Sequence, residues 1–342
     1  MYFLRNDYSE GALPQVMEAL VRTNLCPTTG YGDDPYCHEA AEKLRARFSC
    51  PDADVHFLMG GTQTNLTVMS AFLRPWEAVI AADTGHISIH ETGAIEATGH
   101  KICTVASPDG KLHPGQIRQV FEAHACGHDE HMVLPKLVYL SDSTELGTIY
   151  SRSELAAISR VCRELDLYLY LDGARLAAAL ACPANDLRPE DLADLCDAFY
   201  LGGTKNGLLF GEALLILRDS LKPNFRHAVK QHGAMLAKGR LLGLQFSTVL
   251  DDDLWLQSAR HANELAARLT DGLAAMGYPL LVQSPTNQVF PIFPNGQLAL
   301  LDQSFSFERW AAVDPEHTAV RLVTSWATSP ETVEAFLAAV RP

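Results

Sequence analysis

The chain has 342 residues, 47% of them hydrophobic and 20% charged, with 41 acidic against 27 basic side chains and a formal net charge of −14. That length suits about two domains around a large core, and the composition excludes collagen, coiled coil and wholesale disorder. The acidic balance argues against a nucleic-acid or anionic-membrane partner, which would need clustered Lys and Arg, and no apolar run reaches the roughly 18 residues that span a bilayer.

The opening residues Met1-Tyr-Phe-Leu-Arg5 carry no basic region followed by an apolar one, so no signal peptide is expected. Eight cysteines (26, 37, 50, 103, 126, 162, 182 and 196) are scattered without a CxxC pair. Reduced thiols in a cytoplasmic protein are the simplest expectation. Residues 1–45 are turn-rich, as in Pro27-Thr-Thr-Gly30 and Gly32-Asp-Asp-Pro35, and are expected to form an N-terminal arm.

From about residue 55 to 217, β-rich runs alternate with helical stretches. The runs are Val55–Met59, Ala78–Ala82, Lys101–Ala106, Pro135–Ser141, Leu167–Asp172, Ala198–Leu201 and Ala213–Leu217. Between them, Ser153–Leu165 places apolar residues at 155, 158, 161, 162 and 165, one stripe of a 3.6-residue helix. This alternation predicts a large α/β domain over 46–250, with a mainly parallel sheet covered on both faces. Residues 219–275 read as mostly helical, with Asp251–Asp253 as a helix start and His261–Met276 as an amphipathic run. Strand-like pieces at Gln288–Phe293 and Val320–Thr324 precede a closing helix, Pro330–Val340, with Ser329 as its N-cap. A smaller C-terminal α+β domain is expected over 251–342.

The chemistry concentrates after three of these strands. Leu167–Leu171 runs into Asp172-Gly-Ala-Arg175, and an acid at the carboxyl end of a parallel strand stands where α/β folds place ligands. Ala198–Leu201 runs into Gly202-Gly-Thr-Lys205, and a desolvated lysine there can form a Schiff base. Either residue alone reads more simply as a strand cap or a solvated lysine. In this order and spacing they match the needs of pyridoxal phosphate (PLP): an amine for the aldehyde carbon and a carboxylate for the pyridine nitrogen. Upstream, Val55–Met59 ends in Gly60-Gly-Thr-Gln-Thr-Asn65 before a helical run, a glycine turn whose free N–H groups suit a phosphate. It is neither a Walker A nor a GxGxxG motif.

Taken together, Gly60-Gly-Thr62, Gly85-His86 with His90-Glu91-Thr-Gly93, Asp172-Gly-Ala-Arg175 and Thr204-Lys205 resemble the threonine aldolase family. These are PLP enzymes of the aspartate-aminotransferase fold (fold type I), grouped with the β-eliminating lyases. The likeness runs from Leu4-Arg-Asn-Asp7 to Arg321-Leu-Val-Thr324.

The resemblance implies that Lys205 holds the cofactor aldehyde, that Asp172 binds the pyridine nitrogen and that Gly60, Gly61 and Thr62 contact the phosphate. His86 would stack on the cofactor ring near the substrate hydroxyl and be catalytic together with Lys205. Thr204 joins the cofactor-binding set. Arg175 and Arg321 match the two arginines that hold the amino-acid carboxylate, a task suited to the guanidinium fork, with Arg175 also near the cofactor. Asn6 stands where many relatives have serine and counts with Tyr31, of the arm segment Tyr31-Gly-Asp-Asp-Pro35, among the substrate-binding residues. In Gln231-His-Gly-Ala-Met-Leu-Ala-Lys238, Lys238 takes the place of an arginine that relatives offer to a neighbour's phosphate. A second histidine that relatives often carry after the strand at Val138–Leu140 is absent from Ser141-Asp-Ser-Thr-Glu-Leu-Gly147, where Thr144 and Glu145 stand instead.

The implied activity is retro-aldol cleavage of L-threonine or L-allo-threonine to glycine and an aldehyde. A PLP-dependent β-eliminating lyase is the alternative, and a non-catalytic scaffold the reading from another class, disfavoured by the presence of Lys205. The implied assembly is a homodimer or homotetramer with shared sites. No metal is expected: the cluster His124-Ala-Cys-Gly-His-Asp-Glu-His131 fits a solvated connection better than a zinc site, and Glu91 breaks the HExxH register after His86. The four tryptophans read as packing residues, since no basic groove accompanies them.

Overall fold

The computed structural model describes residues 1–124 and 130–341. A short strand β1 (Tyr2–Phe3) leads to helices α1 (Pro14–Thr23) and α2 (Pro35–Arg47). Two helices therefore stand where the sequence pattern suggested only turns. The α2 signal is local: Asp34 Oδ1 accepts from the amides of Tyr36 and Cys37, both at 3.0 Å, and Pro35 fills the first helical position. In α1, Val16 and Ala19 are buried while Met17 and Val21 are exposed, so apolar residues on both faces hide the stripe.

The central region follows as β2 (Asp54–Leu58), α3 (Gly61–Phe72), β3 (Glu77–Ala82), α4 (His86–Ile89), α5 (Ala94–Ala97), β4 (Ile102–Val105) and α6 (Pro114–His124). It continues through β5 (Leu134–Ser141), α7 (Arg152–Glu164), β6 (Tyr168–Asp172), α8 (Leu176–Ala181), α9 (Pro189–Leu195), β7 (Ala198–Gly202) and β8 (Glu212–Ile216). These strands form one sheet in the order β2-β8-β7-β6-β5-β3-β4, with β8 antiparallel to both its neighbours and the other pairs parallel. The mainly parallel α/β reading holds.

Both faces of the sheet are covered, which is why its strands read as unbroken apolar runs. In β7, Phe199 and Leu201 join a core with Phe48 and Trp255, while Ala198 and Tyr200 face Val68 and Phe72 of α3 on the other side. Helix α7 opens on a capping box: Ser151 Oγ accepts from Glu154 N at 3.2 Å and Glu154 Oε2 accepts from Ser151 N at 2.8 Å. Its Leu155, Ile158 and Cys162 are buried, as the spacing predicts.

The remaining chain carries α10 (Phe225–Gln231), α11 (Arg240–Leu250), α12 (Leu254–Ala275), β9 (Gln288–Val289), β10 (Ile292–Pro294), α13 (Asn295–Leu301), β11 (Phe305–Ser306), β12 (Glu308–Ala312), β13 (His317–Val323) and α14 (Pro330–Ala339). Asp251–Asp253 forms a 3-10 turn against the start of α12. The expected strand at 288–293 splits into β9 and β10 around Pro291, which has no N–H for the ladder. Strands β10, β13 and β12 pair antiparallel, and β9 also pairs with β13. The first residues are tied to this unit: β1 pairs with β11, and Val323 N donates to Leu4 O at 2.8 Å. Leu4 is buried with Leu269 of α12 and Phe336 of α14. That anchoring delivers Asn6 and Asp7 to the carboxyl edge of the large sheet. Among the described residues no helix is long and apolar enough to cross a membrane, and the seven described cysteines are free thiols.

Candidate active site

Parallel strands of one sheet end at one edge, so the segments following β2, β3, β5, β6 and β7 converge there. A cavity of about 570 Å³ opens at that edge, lined by Gly60, Gly61, Thr62, His86, Asp172, Arg175, Thr204, Lys205 and Arg321 among others. The strand ends approach so closely that side chains are excluded. A Cβ on Gly173 would lie 1.8 Å from the Tyr200 carbonyl oxygen, and one on Gly202 would lie 2.4 Å from that of Ala174.

Asp172, the last residue of β6, is 3% exposed. Its Oδ2 accepts from Tyr139 Oη at 2.6 Å and Asn65 Nδ2 at 3.0 Å, while its Oδ1 accepts from the Tyr200 hydroxyl and, at 3.0 Å, from Ala174 N. Burial pushes this carboxyl up, but the nearby His86 imidazole and the donated hydrogen bonds outweigh it and hold the pKa below the usual aspartate value. The result is a buried, permanently ionised acceptor at neutral pH.

Lys205 follows β7 and lines the same cavity. Burial, reinforced by the Arg175 charge, lowers its pKa below that of an ordinary lysine, with Asp7, Asp172 and Glu212 offsetting part of the effect. Beneath it, buried Glu212 accepts from Thr204 Oγ1 at 2.8 Å and Gly203 N at 3.0 Å. Thr204 thus spends its hydroxyl proton on the turn that presents Lys205. At the opposite end of the sequence motif, α3 begins at Gly61 with Gly60 as an N-cap that has no side chain, leaving first-turn amides open at the cavity wall.

His86 opens α4. Its backbone N donates to Glu145 Oε1 at 2.9 Å, and its ring Nδ1 lies 2.7 Å from Glu91 Oε1. Glu145 Oε1 also accepts from Ser141 Oγ at 2.7 Å, and burial pushes the Glu145 carboxyl up. The His90 ring stands 5.4 Å from that of His86 and also lines the cavity.

Both arginines reach the cavity already paired. Arg175 donates Nε to Asp7 Oδ2 at 2.7 Å and Nη2 to Asp7 Oδ1 at 3.0 Å. Arg321 Nη2 donates to Glu308 Oε2 across the β12–β13 ladder, its guanidinium lies 5.1 Å from the centre of the Trp310 ring, and its buried Nε has no partner. Asn6 lines the cavity, but its Oδ1 accepts from Tyr8 N at 3.0 Å and Ser9 Oγ at 2.9 Å, which leaves its amide nitrogen for a ligand.

Two expected site residues lie elsewhere on this chain. Tyr31 lines a separate depression with Cys37 and Arg226, and Lys238 lines another with Gly30 and Arg240. The two segments touch, Tyr31 N donating to Ala237 O at 3.1 Å. Of the His124–His131 cluster, Cys126 and His128 lie outside the described residues, and His124 Nδ1 bonds Val120 O at 2.9 Å.

The residue pattern alone did not reveal Asp7, Asn65, Tyr139, Tyr200, Glu145, Glu212 or Glu308 as parts of the site. Asn65 and Glu91 stood inside quoted motifs, but nothing in their spacing showed which groups they would join. Tyr139 and Tyr200 looked like ordinary strand aromatics.

The donor set fits PLP: an amine, a carboxylate held ionised and open helix amides share one cavity of adequate size. The model of the beta-eliminating lyases matches residues 4–294. The chain is 33% identical to a low specificity L-threonine aldolase of Pseudomonas sp. over 99% of this chain and 96% of that one. It superposes on a threonine aldolase of Leishmania major with a TM-score of 0.97 at 49% identity, covering 99% of this chain and 98% of the other. An aspartate aminotransferase of Thermus thermophilus shares the fold, with a TM-score of 0.72 at 18% identity over 99% of this chain and 90% of that one.

Proposed function

The chain belongs to the beta-eliminating lyases and, within them, to the threonine aldolases, and from that we propose that it is a PLP-dependent lyase cleaving L-threonine or L-allo-threonine to glycine and an aldehyde. One observation carries the reading: the cavity that joins Lys205 to the ionised Asp172 also holds Arg175, Arg321 and His86. When bound, PLP supplies an electron sink for the pair released from the breaking Cα–Cβ bond.

Lys205 would hold the cofactor's aldehyde carbon, Asp172 its ring nitrogen, the first turn of α3 its phosphate and His86 a face of its ring. Arg175 and Arg321 bind the substrate carboxylate and so fix which Cα bond stands ready to break, a positioning effect. His86, directly or through one water, takes the β-hydroxyl proton as the aldehyde leaves. The test is product analysis with L-threonine and L-allo-threonine. Glycine and acetaldehyde in equal amounts are expected; ammonia and a keto acid would assign the chain to β-elimination instead.

The same reading includes a homodimer or homotetramer. Met59 and Tyr8 line the cavity yet are 45% and 53% exposed, and Met17, Val21 and Leu25 are exposed apolar side chains as well. Tyr31 and Lys238 would then complete a neighbour's site. Light scattering should give a multiple of the 37.4 kDa chain mass. The free thiols support a reducing, cytoplasmic setting.

A further inference from the structure

The ring of His86 is held by a buried carboxylate that does not itself line the cavity. Glu91 has a side chain 0% exposed, and its Oε1 meets both His86 Nδ1 and Asn65 Nδ2 at 2.7 Å, while its Oε2 has no partner. Asn65 itself is 0% exposed. Its amide nitrogen sends one proton to Glu91 Oε1 and the other to Asp172 Oδ2 at 3.0 Å, and its Oδ1 accepts from Tyr170 Oη at 2.9 Å. Rotating that amide by half a turn would set its carbonyl oxygen against two carboxylates, so its orientation has one solution.

Resting on the reading of His86 as acceptor of the β-hydroxyl proton, we propose that Glu91 and Asn65 are positioning residues of the reaction, fixing His86 as the Nδ1–H tautomer and tying that state to Asp172. Oε1 already accepts from Asn65 and has no proton to give, so the proton shared with the ring sits on Nδ1. Nε2 is then the nitrogen left to take a proton at the cavity. The line His86–Glu91–Asn65–Asp172 is continuous, and each link has one polarity. Asp172 stays ionised and fully bonded partly through Asn65, and the same amide stops Glu91 from swinging away from His86.

A carboxylate whose second oxygen is buried without a partner costs stability. A neutral amide at position 91 would fill the same volume. Asn65 would hold its oxygen in the Oε1 place, where it still accepts from Nδ1–H, so the amide keeps the tautomer; a leucine there removes the acceptor and leaves the ring free to take the Nε2-protonated form, unable to accept.

The experiment uses the cofactor-loaded enzyme labelled with ¹⁵N at histidine, as wild type, Glu91→Leu, Asn65→Ala and His86→Phe, the last identifying the His86 signal. In wild type His86 should be Nδ1-protonated, and in Glu91→Leu it should change to the Nε2-protonated form. The kcat of Glu91→Leu should fall by about 10–100-fold, as when a group orienting an active histidine is removed, with KM within about twofold because Glu91 does not line the cavity. An unchanged tautomer, or wild-type kcat in Glu91→Leu beside a crippled His86→Phe, overturns the proposal. Wild-type kcat in His86→Phe instead removes the proton-acceptor reading, while the tautomer shift still reports whether Glu91 sets the ring. Asn65→Ala leaves Glu91 in place. It should lower kcat in the same sense, and wild-type kcat there would break the link to Asp172.

Discussion

Asp7 and Arg175 form a two-point ion pair beside the cavity that Arg175 lines, 168 residues apart in the chain, with Asn287 Nδ2 donating to Asp7 Oδ2 at 3.0 Å. The carboxylate is 1% exposed, and the pair fixes the guanidinium plane before any substrate arrives. It also joins the N-terminal segment to the end of β6. Asp7→Ala strands the Arg175 charge in the interior, so a loss of about 3–5 kcal/mol of stability is expected, read from the denaturant midpoint. An unmoved midpoint would mean that water reaches the site and the pair holds nothing together.

Acid should act through the same residue. Burial pushes the Asp7 carboxyl up, but Arg175 and Lys205 pull it below the ordinary value of 3.8. Its stabilisation is therefore complete above pH 3.8 and is lost as pH falls through the depressed folded value. Asp7→Asn should flatten the acid limb of a stability–pH curve, and an identical limb in the variant would assign acid sensitivity to other groups.

Asp142 works in the opposite sense. Burial pushes its carboxyl up to about 8, and its Oδ1 has no partner. The folded state then holds a proton that the unfolded chain gives up from about pH 3.8, so this group costs stability progressively as pH rises towards 8. Asp142→Asn should stabilise the protein more at pH 8 than at pH 5. A gain of equal size at both values would show that Asp142 is ionised in the fold.

Lys205→Ala should abolish the cofactor adduct that borohydride traps on the wild-type chain. Peptide mapping decides: label that persists on another lysine refutes the assignment.

Arg321→Ala should mainly weaken amino-acid binding. Loss of a charge-assisted bond costs about 1.5–3 kcal/mol, roughly tenfold or more in affinity. The variant also frees Glu308, so Arg321→Lys separates charge from geometry: it restores the ion pair but not the fork. If Arg321→Ala keeps its kcat/KM, the carboxylate docks elsewhere.

Much of the large sheet was legible because its strands are buried on both faces. Runs such as Leu137–Leu140 or Ala198–Leu201 have no polar face to confuse the pattern, and the observed strand ends fall within one or two residues of those expected. Strand β12 was not legible: Arg309, Ala311 and Ala312 are exposed, so no alternation marks it. The helices in the first 45 residues were hidden by apolar residues on both faces of α1 and by the turn residues that in fact cap α2.

Position along the chain determined that an acid and a lysine would emerge at strand ends and that a glycine turn would open a helix, since those features depend on neighbours a few residues away. Which groups surround them was decided by the tertiary structure alone. Asn65 and Asp172 are 107 residues apart, and Arg175 and Asp7 are 168 apart, so no local pattern records their meeting. Hydrogen bonds between buried charges form wherever the sheet order brings their strands together. That order is set by packing two apolar faces at once, a property of the whole fold rather than of any segment.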